Sequence, residues 1–129
     1  MIKISTLIDF IRGGVVATNI YRTIAPLEVV FPVITVTLNS SNVGKALGGD
    51  IKIESLMISI NFFASTPTAV DSLTEIITER LSTLTGVTGD YSIAGFYLQG
   101  RKSIDYTDET TGKLVYGNSI DYNVTVKKS

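Results

Sequence analysis

Residues 51–84, IKIESLMISINFFASTPTAVDSLTEIITERLSTL, contain the change of hydrophobic periodicity that decides the fold of this chain. Leu56, Ile58, Ile60 and Phe62 alternate with Ser55, Ser59 and Asn61, which is typical of a strand with one buried face. After residue 67 apolar residues recur at steps of three and four, which predicts a helix with one apolar stripe. The stripe comprises Val70, Leu73, Ile76, Ile77, Leu81 and Leu84. Such a helix is expected to pack on the sheet to which the strand belongs.

The ends of this helix carry recognisable signals. Pro67 suits the first helical turn, and Thr66 or Thr68 can cap it by accepting a hydrogen bond from a free backbone N–H. Gly86 is expected to end the helix, because glycine adopts the left-handed conformation that follows many helices. If the helix packs as expected, four residues share one interior: Ile60, Ile76, Leu81 and Tyr122.

The rest of the chain predicts a shorter helix and three more strands. Leu7, Ile8 and Ile11 lie on one side of a short N-terminal helix. Alternating residues predict strands over about 30–38, 91–104 and 114–127. The expected fold class is therefore α+β, in the order α-β-β-α-β-β, as one domain spanning residues 1–129. The four-stranded, mainly antiparallel sheet carries both helices on one face.

Two irregularities are expected around the second strand. Residues 39–49 hold three glycines, two serines and two asparagines, which predicts a long, mobile link between strands. Ile51 and Ile53 are out of phase with the alternation that follows, which indicates a bulge or bend near Glu54 and Ser55.

Alternation also gives the sheet a polar face, which is expected to be wet or covered by a neighbouring subunit. Its polar residues are Thr35, Ser55, Ser59, Asn61, Ser119, Asp121, Asn123 and Thr125. Met57, Phe63 and Val115 lie among them and are candidates for a subunit contact.

Composition excludes several classes of function. The chain has no cysteine and no histidine, which removes thiol and imidazole chemistry, His/Cys metal sites and disulfides. Its net charge of −1, without a basic block, argues against specific nucleic-acid binding. Charged residues interrupt every apolar run, so no membrane span is expected, and the N-terminus lacks the pattern of a signal peptide. We therefore expect that the protein is not an enzyme and that it binds no cofactor and no metal.

Two motifs imitate functional sites. Gly95 and the run from Gly100 to Ser103 nearly form a phosphate-binding loop, but they lie in a predicted strand, so a twisted or bulged strand is the preferred interpretation. Asp105, Asp108 and Glu109 gather three carboxylates, but without the spacing of a calcium loop, and a solvated hairpin turn is preferred.

Three segments together suggest a family: IYRTIAP at 20–26, FPVITV at 31–36 and SINFF at 59–63. With the long helix and the closing strands, whose turn includes 108–112, they resemble the tail terminator, or tail completion, proteins of tailed bacteriophages. The resemblance covers nearly the whole chain in order and length.

The resemblance implies a structural virion protein, assembled in the host cytoplasm, that forms a hexameric ring at the head-proximal end of the tail tube. The ring stops tube polymerisation and joins the tail to a neck, stopper or connector protein, and DNA can pass through it. Contacts with tube or neck are expected at Asn39, Ser41, Asn42, Lys45, Leu47, Asp50, Asp108, Glu109 and Lys113. The alternatives are another neck component, such as a head-tail connector or stopper ring protein, a non-viral binding module or a small enzyme.

Overall fold

Two helices lie on one face of a curled sheet in the computed structural model, which describes residues 2–15, 20–22, 33–45, 52–109 and 111–128. The helices are α1, Ile4–Val15, and α2, Pro67–Ser82. The strands are β1, Ile20–Arg22; β2, Val33–Lys45; β3, Lys52–Ala64; β4, Gly86–Thr88; β5, Tyr91–Ser103; β6, Tyr106–Thr107; and β7, Leu114–Lys128. The expected α+β class is confirmed.

The sheet has the strand order β1-β2-β3-β7-β5-β4, and β6 pairs with the start of β7. The four long strands β2, β3, β7 and β5 are antiparallel to their neighbours and correspond to the four predicted ones. The expected total of four strands is nevertheless wrong, because β1, β4 and β6 are also present among the described residues. Each has only two or three residues, too few to show a period.

The prediction of a mobile link at residues 39–49 is wrong for residues 39–45. Residues 39–45 continue β2, and pairing with β3 extends as far as Lys45 and Lys52. Residues 46–49 lie outside the described residues. Serine, asparagine and glycine weaken strand propensity, but here a ladder with a long neighbouring strand holds them extended.

The expected bulge near Glu54 is also wrong, and the irregularity lies in the partner strand. The register between β2 and β3 shifts between Leu38 and Ser40, so Asn39 is the extra residue. β3 keeps an unbroken register, with Glu54 on its core side at 5% exposure, where it accepts a hydrogen bond from the Ile2 N–H at 2.9 Å. Because Glu54 occupies the core side of the strand, its neighbour Ile53 points outward. The burial of Glu54 therefore explains why Ile53 is out of phase with the apolar residues that follow.

The glycines of β5 mark two further bulges. The register with β7 shifts between Ile93 and Gly95, and again between Leu98 and Gly100. The preference for a bulged strand over a phosphate-binding loop is confirmed, because these glycines belong to a β-ladder and no helix follows them directly.

Helix α2 begins as expected and ends earlier than expected. Thr66 is the N-cap, since its Oγ1 accepts a hydrogen bond from the Ala69 N–H at 3.2 Å. Thr83 is the C-cap, and Gly86 starts β4 instead of ending the helix. The chain therefore needs only three residues after the helix to re-enter the sheet.

Fewer apolar residues of α2 are buried than the sequence pattern predicts. Its buried residues are Val70, Thr74, Ile77 and Leu81. Ile76 is 48% exposed, so the prediction that it shares the interior is wrong, whereas Ile60, Leu81 and Tyr122 do share it. Thr74 is tolerated inside because its hydroxyl donates to the Val70 carbonyl at 2.7 Å.

A polar clamp connects α2 to the sheet. Asn118 on β7 is 7% exposed, and its Nδ2 donates at 3.1 Å to both Asp71 Oδ1 and Thr74 Oγ1. Because these partners are one helical turn apart, the amide fixes the position of the helix along β7.

Tyr122 lies at the centre of the interior, 2% exposed, with its ring edge-on to Phe96 at 6.2 Å. Burial raises the pKa of Tyr122 to about 12, opposed by the nearby Thr78 hydroxyl. That hydroxyl donates its own proton to the Thr74 carbonyl, and Tyr122 Oη has no partner of normal geometry within the described ranges. The phenol is therefore held in its neutral form.

We expect Tyr122→Phe to change the pH dependence of stability and to cost little at neutral pH. Because the folded pKa is raised above the unfolded value of 10.0, this phenol stabilises the fold below pH 10, and that contribution is lost as the pH rises towards about 12. Urea unfolding at neutral pH and across this window should show a shallower alkaline loss for the variant. Tyr97→Phe, which changes a half-exposed tyrosine, is the control, and an equal slope in both variants would contradict the assignment.

Candidate assembly surfaces

The sheet face opposite the helices is joined by hydrogen bonds between side chains of neighbouring strands. Ser59 donates to Asp121 Oδ1 at 2.6 Å, and Asn39 Nδ2 donates to Ser59 Oγ at 2.7 Å. The bulge supplies Asn39 to this chain of bonds, which crosses β2, β3 and β7. Ser55 continues the pattern by donating to Asn123 Oδ1 at 2.8 Å. Several polar side chains of this face are therefore hydrogen-bonded to one another.

One end of the same face is apolar and enclosed by the chain itself. The Phe63 ring meets Tyr106 of β6 edge-on at 5.8 Å, and Val33 and Val115 are 1% and 4% exposed. Of the three apolar residues expected on this face, Val115 is therefore already buried, and Phe63 packs within its own subunit. Met57 remains half-buried on β3.

Gly117 allows this enclosure. A Cβ built there would lie 2.9 Å from both Phe63 Cδ1 and Ile104 Cγ1, closer than carbon atoms tolerate. Gly117 N–H also donates to Asp105 Oδ1 at 2.9 Å, which draws the 104–107 segment across β7. Asp105 thus has a structural role in the turn.

We expect Gly117→Ala to lower the free energy of unfolding by about 1–3 kcal/mol, because the added methyl group overpacks the Phe63 contact. Chemical denaturation measures this loss. Gly100→Ala is the matched control, since a Cβ at that strand glycine meets nothing within 4 Å. Equal losses in the two variants would mean that strand propensity, not the contact, sets the cost.

The residues predicted to contact partners are spread from the middle of the sheet to its two ends. Asn39 lies at the middle of β2, Ser41 and Asn42 lie further along it, and Lys45 lies at its junction with β3, while Leu47 and Asp50 lie outside the described residues. Asp108, Glu109 and Lys113 lie in the turn between β6 and β7. The β2–β3 end is level with Lys127, which pairs with Ile53, and the turn precedes Leu114. The thirteen intervening steps along β7 separate Lys45 from the turn by about 40 Å, and Asn39 lies between these two ends.

The β6–β7 turn is ordered by its backbone. Asp108 N–H donates to the Lys113 carbonyl at 2.8 Å, and Gly112 N–H, at a φ of 70°, donates to the Asp108 carbonyl at 2.7 Å. Burial, and then the charge of Asp108, raise the pKa of Tyr106. The preferred hairpin interpretation of the acidic group is confirmed. Throughout the described ranges, no group of three or more acidic residues is arranged to hold a metal ion.

A groove of about 340 Å³ separates α2 from β5. Its lining residues are Asp71, Thr74, Glu75, Thr78, Leu98, Arg101 and Ile120. Both threonine hydroxyls donate to helix carbonyls, and Asp71 accepts from Asn118. These groups are therefore used in holding the fold and do not form an activated nucleophile with an adjacent base.

Sequence reasoning missed the apolar residues on the outer strands. Leu38 on β2 is 40% exposed, while Tyr97 and Leu98 on β5 are 53% and 57% exposed. Leu38 and Leu98 pair with the core residues Ile58 and Tyr122, whereas Tyr97 pairs with Asn123 of the polar face. Only the position of β2 and β5 next to the short outermost strands β1 and β4 distinguishes the two leucines from core residues. Strand order is the missing information, and periodicity does not supply it.

In the part of the chain that the structure describes, no helix is long and apolar enough to cross a membrane.

No protein-family model and no curated protein sequence matches this chain. Among solved structures, it is similar to a chain in the virion of a native gene transfer agent (GTA) particle, with a TM-score of 0.58 and 13% sequence identity. The similarity covers 91% of this chain and 84% of the other. At this identity it shows a shared fold, so the chain has the fold of a subunit of a gene transfer agent virion.

Proposed function

We propose that this protein is a structural virion protein that forms a ring at the head-proximal end of a phage tail tube. The ring ends tube polymerisation and joins the tail to the neck. One observation carries the proposal: the fold is shared, over nearly the full length of both chains, with a subunit of a gene transfer agent virion, which is a phage-like particle. The family resemblance of the segments at 20–26, 31–36 and 59–63 supports the finer assignment to a tail terminator.

The two-ended arrangement of the sheet supports such an adaptor role. A terminator must bind the tube on one side and the neck on the other. The β2–β3 end and the β6–β7 turn lie at opposite ends of β7, so one subunit can contact both partners at once. We assign the contacts to the expected residues of these two ends, with Lys45 representing the first and Glu109 the second.

The side-chain chemistry supports a structural role over an enzymatic one. The chain contains no histidine or cysteine, and the groove beside α2 uses its polar groups in hydrogen bonds that hold the helix. Its partners in this proposal are further copies of itself as a hexamer, the tail tube protein and a neck, stopper or connector protein. The site of action is the tail and neck of the virion, assembled in the host cytoplasm.

A head-tail connector or stopper ring is the second candidate, because the shared virion fold supports it equally. The consequences of removal differ. A particle without its terminator has overlong tubes, whereas a particle without a neck component has finished tails beside unjoined heads. Electron micrographs of lysates from a deletion mutant therefore separate the two functions.

We expect the purified protein to cap growing tubes when it is mixed with tail tube subunits. Added before polymerisation, it should shorten the tubes in proportion to its concentration and appear as a ring at one end of each tube in electron micrographs. Tubes of unchanged length without end density would overturn the terminator function.

Charge reversals at the two ends should separate the two partner contacts. Lys45→Glu and Glu109→Lys each change one end of the sheet, and we expect one variant to lose tube capping and the other to lose joining to heads. Tube length and in vitro joining to purified heads measure the two activities. Glu79→Lys, an exposed position on α2, is the control and should retain both. If both reversals retained both activities, the assignment of contacts to the two ends would be wrong.

A further inference from the structure

Strand pairing gathers lysines from distant parts of the chain at one end of the sheet. Lys45 of β2 pairs with Lys52 of β3. On the other side of β3, Ile53 pairs with Lys127 of β7, and Lys128 is the last residue of that strand. Like charges at paired positions of a sheet repel one another, and a bound anion relieves that repulsion.

The start of helix α1 lies at the same end of the sheet. The Ile2 N–H donates to Glu54 on the core side of β3, so exposed Lys3 is held near the lysines of the strands. Helix α1 begins at Ile4 with no acidic residue in its first turn, and the backbone N–H groups at a helix start add partial positive charge. Five of the seven lysines thus form one surface, the lysine end: Lys3, Lys45, Lys52, Lys127 and Lys128. They come from four separate segments, so no basic block appears in the sequence.

Nearby carboxylates do not cancel this charge. Within the described residues, the strands and the β4–β5 turn of this end hold two carboxylates, Glu54 and Asp90, and Glu54 is buried at 5% exposure. Asp108 and Glu109 lie in the β6–β7 turn, about 40 Å from Lys45. Salt screens charges over about 8 Å at physiological ionic strength. A net charge of −1 for the whole chain is therefore compatible with a strongly positive end.

We propose that the lysine end binds the phosphate backbone of nucleic acid without regard to base sequence. The backbone presents a dense row of anions, and lysine side chains neutralise phosphates as flexible point charges that need no fixed geometry. The start of α1 adds backbone N–H groups, which also bind phosphate. This site goes beyond the proposed function and shares only Lys45 with the partner contacts assigned there.

The residue type favours nucleic acid over an acidic protein surface. Arginine is enriched at protein interfaces and lysine is depleted, and the guanidinium group can bind a carboxylate through two parallel hydrogen bonds. Among the described residues, the strand cations of this end are all lysines, whereas the strand arginines, Arg22 and Arg101, pair with Val36 and Ile120 further along the sheet. A cluster of lysines alone suits a contact that depends on charge and not on the shape of a partner.

Fluorescence anisotropy of a labelled DNA duplex tests this site on the purified protein. We expect binding that weakens steeply with salt between about 50 and 200 mM and that is equal for duplexes of unrelated sequence. The double variant Lys127→Gln with Lys128→Gln should lower the affinity about tenfold or more. It should also reduce the slope of affinity against salt, on logarithmic axes, by about two, since each phosphate contact contributes about one.

The two lysines outside the lysine end provide the matched control. Lys102→Gln with Lys113→Gln removes the same number of charges from exposed positions elsewhere on the surface. The two double variants therefore have the same net charge, and only the first should lose DNA binding. Thermal unfolding should change little in either variant, because all four side chains are exposed.

Equal losses in the two double variants would show that net charge sets the affinity and would overturn the proposal. Failure of the natural protein to bind the duplex at the lowest salt concentration, or a strong preference for one base sequence, would overturn it as well. If the Lys127 and Lys128 variant lost tube capping but kept its affinity for DNA, the lysine end would be a contact for an acidic protein surface, and the proposal would be wrong.

These outcomes are distinguishable from those for the proposed function, because DNA binding is measured without tube subunits. A protein that caps tubes but binds no DNA would leave the terminator function standing without this site. A protein that binds DNA through the lysine end but caps no tubes would leave this site standing without the terminator function.

Discussion

The whole structure depends on the burial of one sheet face beneath α2. Val70, Ile77 and Leu81 pack on the core side of the sheet, and Ile60 and Tyr122 receive them. Since side chains alternate along a strand, this single contact also sends every intervening side chain of β3 and β7 to the opposite face. The clamp from Asn118 to Asp71 and Thr74 then fixes where along β7 the helix lies. Both faces and both ends of the sheet take their positions from this packing.

The strongest periodic elements were predictable because the pattern and the packing agree in them. The four long strands, the N-cap at Thr66 and the hairpin turn before β7 follow from local rules that the structure obeys. The errors occur where a long-range contact overrides the local pattern. Glu54 is buried where the Ile2 N–H donates to it, and Thr74 is buried where Asn118 Nδ2 of β7 donates to its hydroxyl oxygen. In both cases a polar residue occupies a core position, which the hydrophobic pattern of the sequence does not predict.

Candidate assembly residues were less predictable, for a geometric reason. Glycine-rich and acidic stretches identified the two ends of the sheet, but the sequence did not reveal that β7 separates them by its full length. The exposure of two leucines was also not predictable from the sequence. Leu38 and Leu98 have the period of core residues, and their exposure follows only from the order β2-β3-β7-β5, which places both strands near the edges. Pairing between distant strands is not encoded in the periodicity of any one strand.

The position of β7 also has a mechanical consequence. It is a single strand of 15 residues with an uninterrupted register along β3, and its two termini lie beside the two proposed partner surfaces. Antiparallel hydrogen bonds run perpendicular to the strands, so a pull along β7 loads many of them at once in shear. Tension between the two ends is therefore borne by many hydrogen bonds at the centre of the sheet at the same time, and these bonds do not break one after another. A subunit built in this way acts as a stiff strut of fixed length.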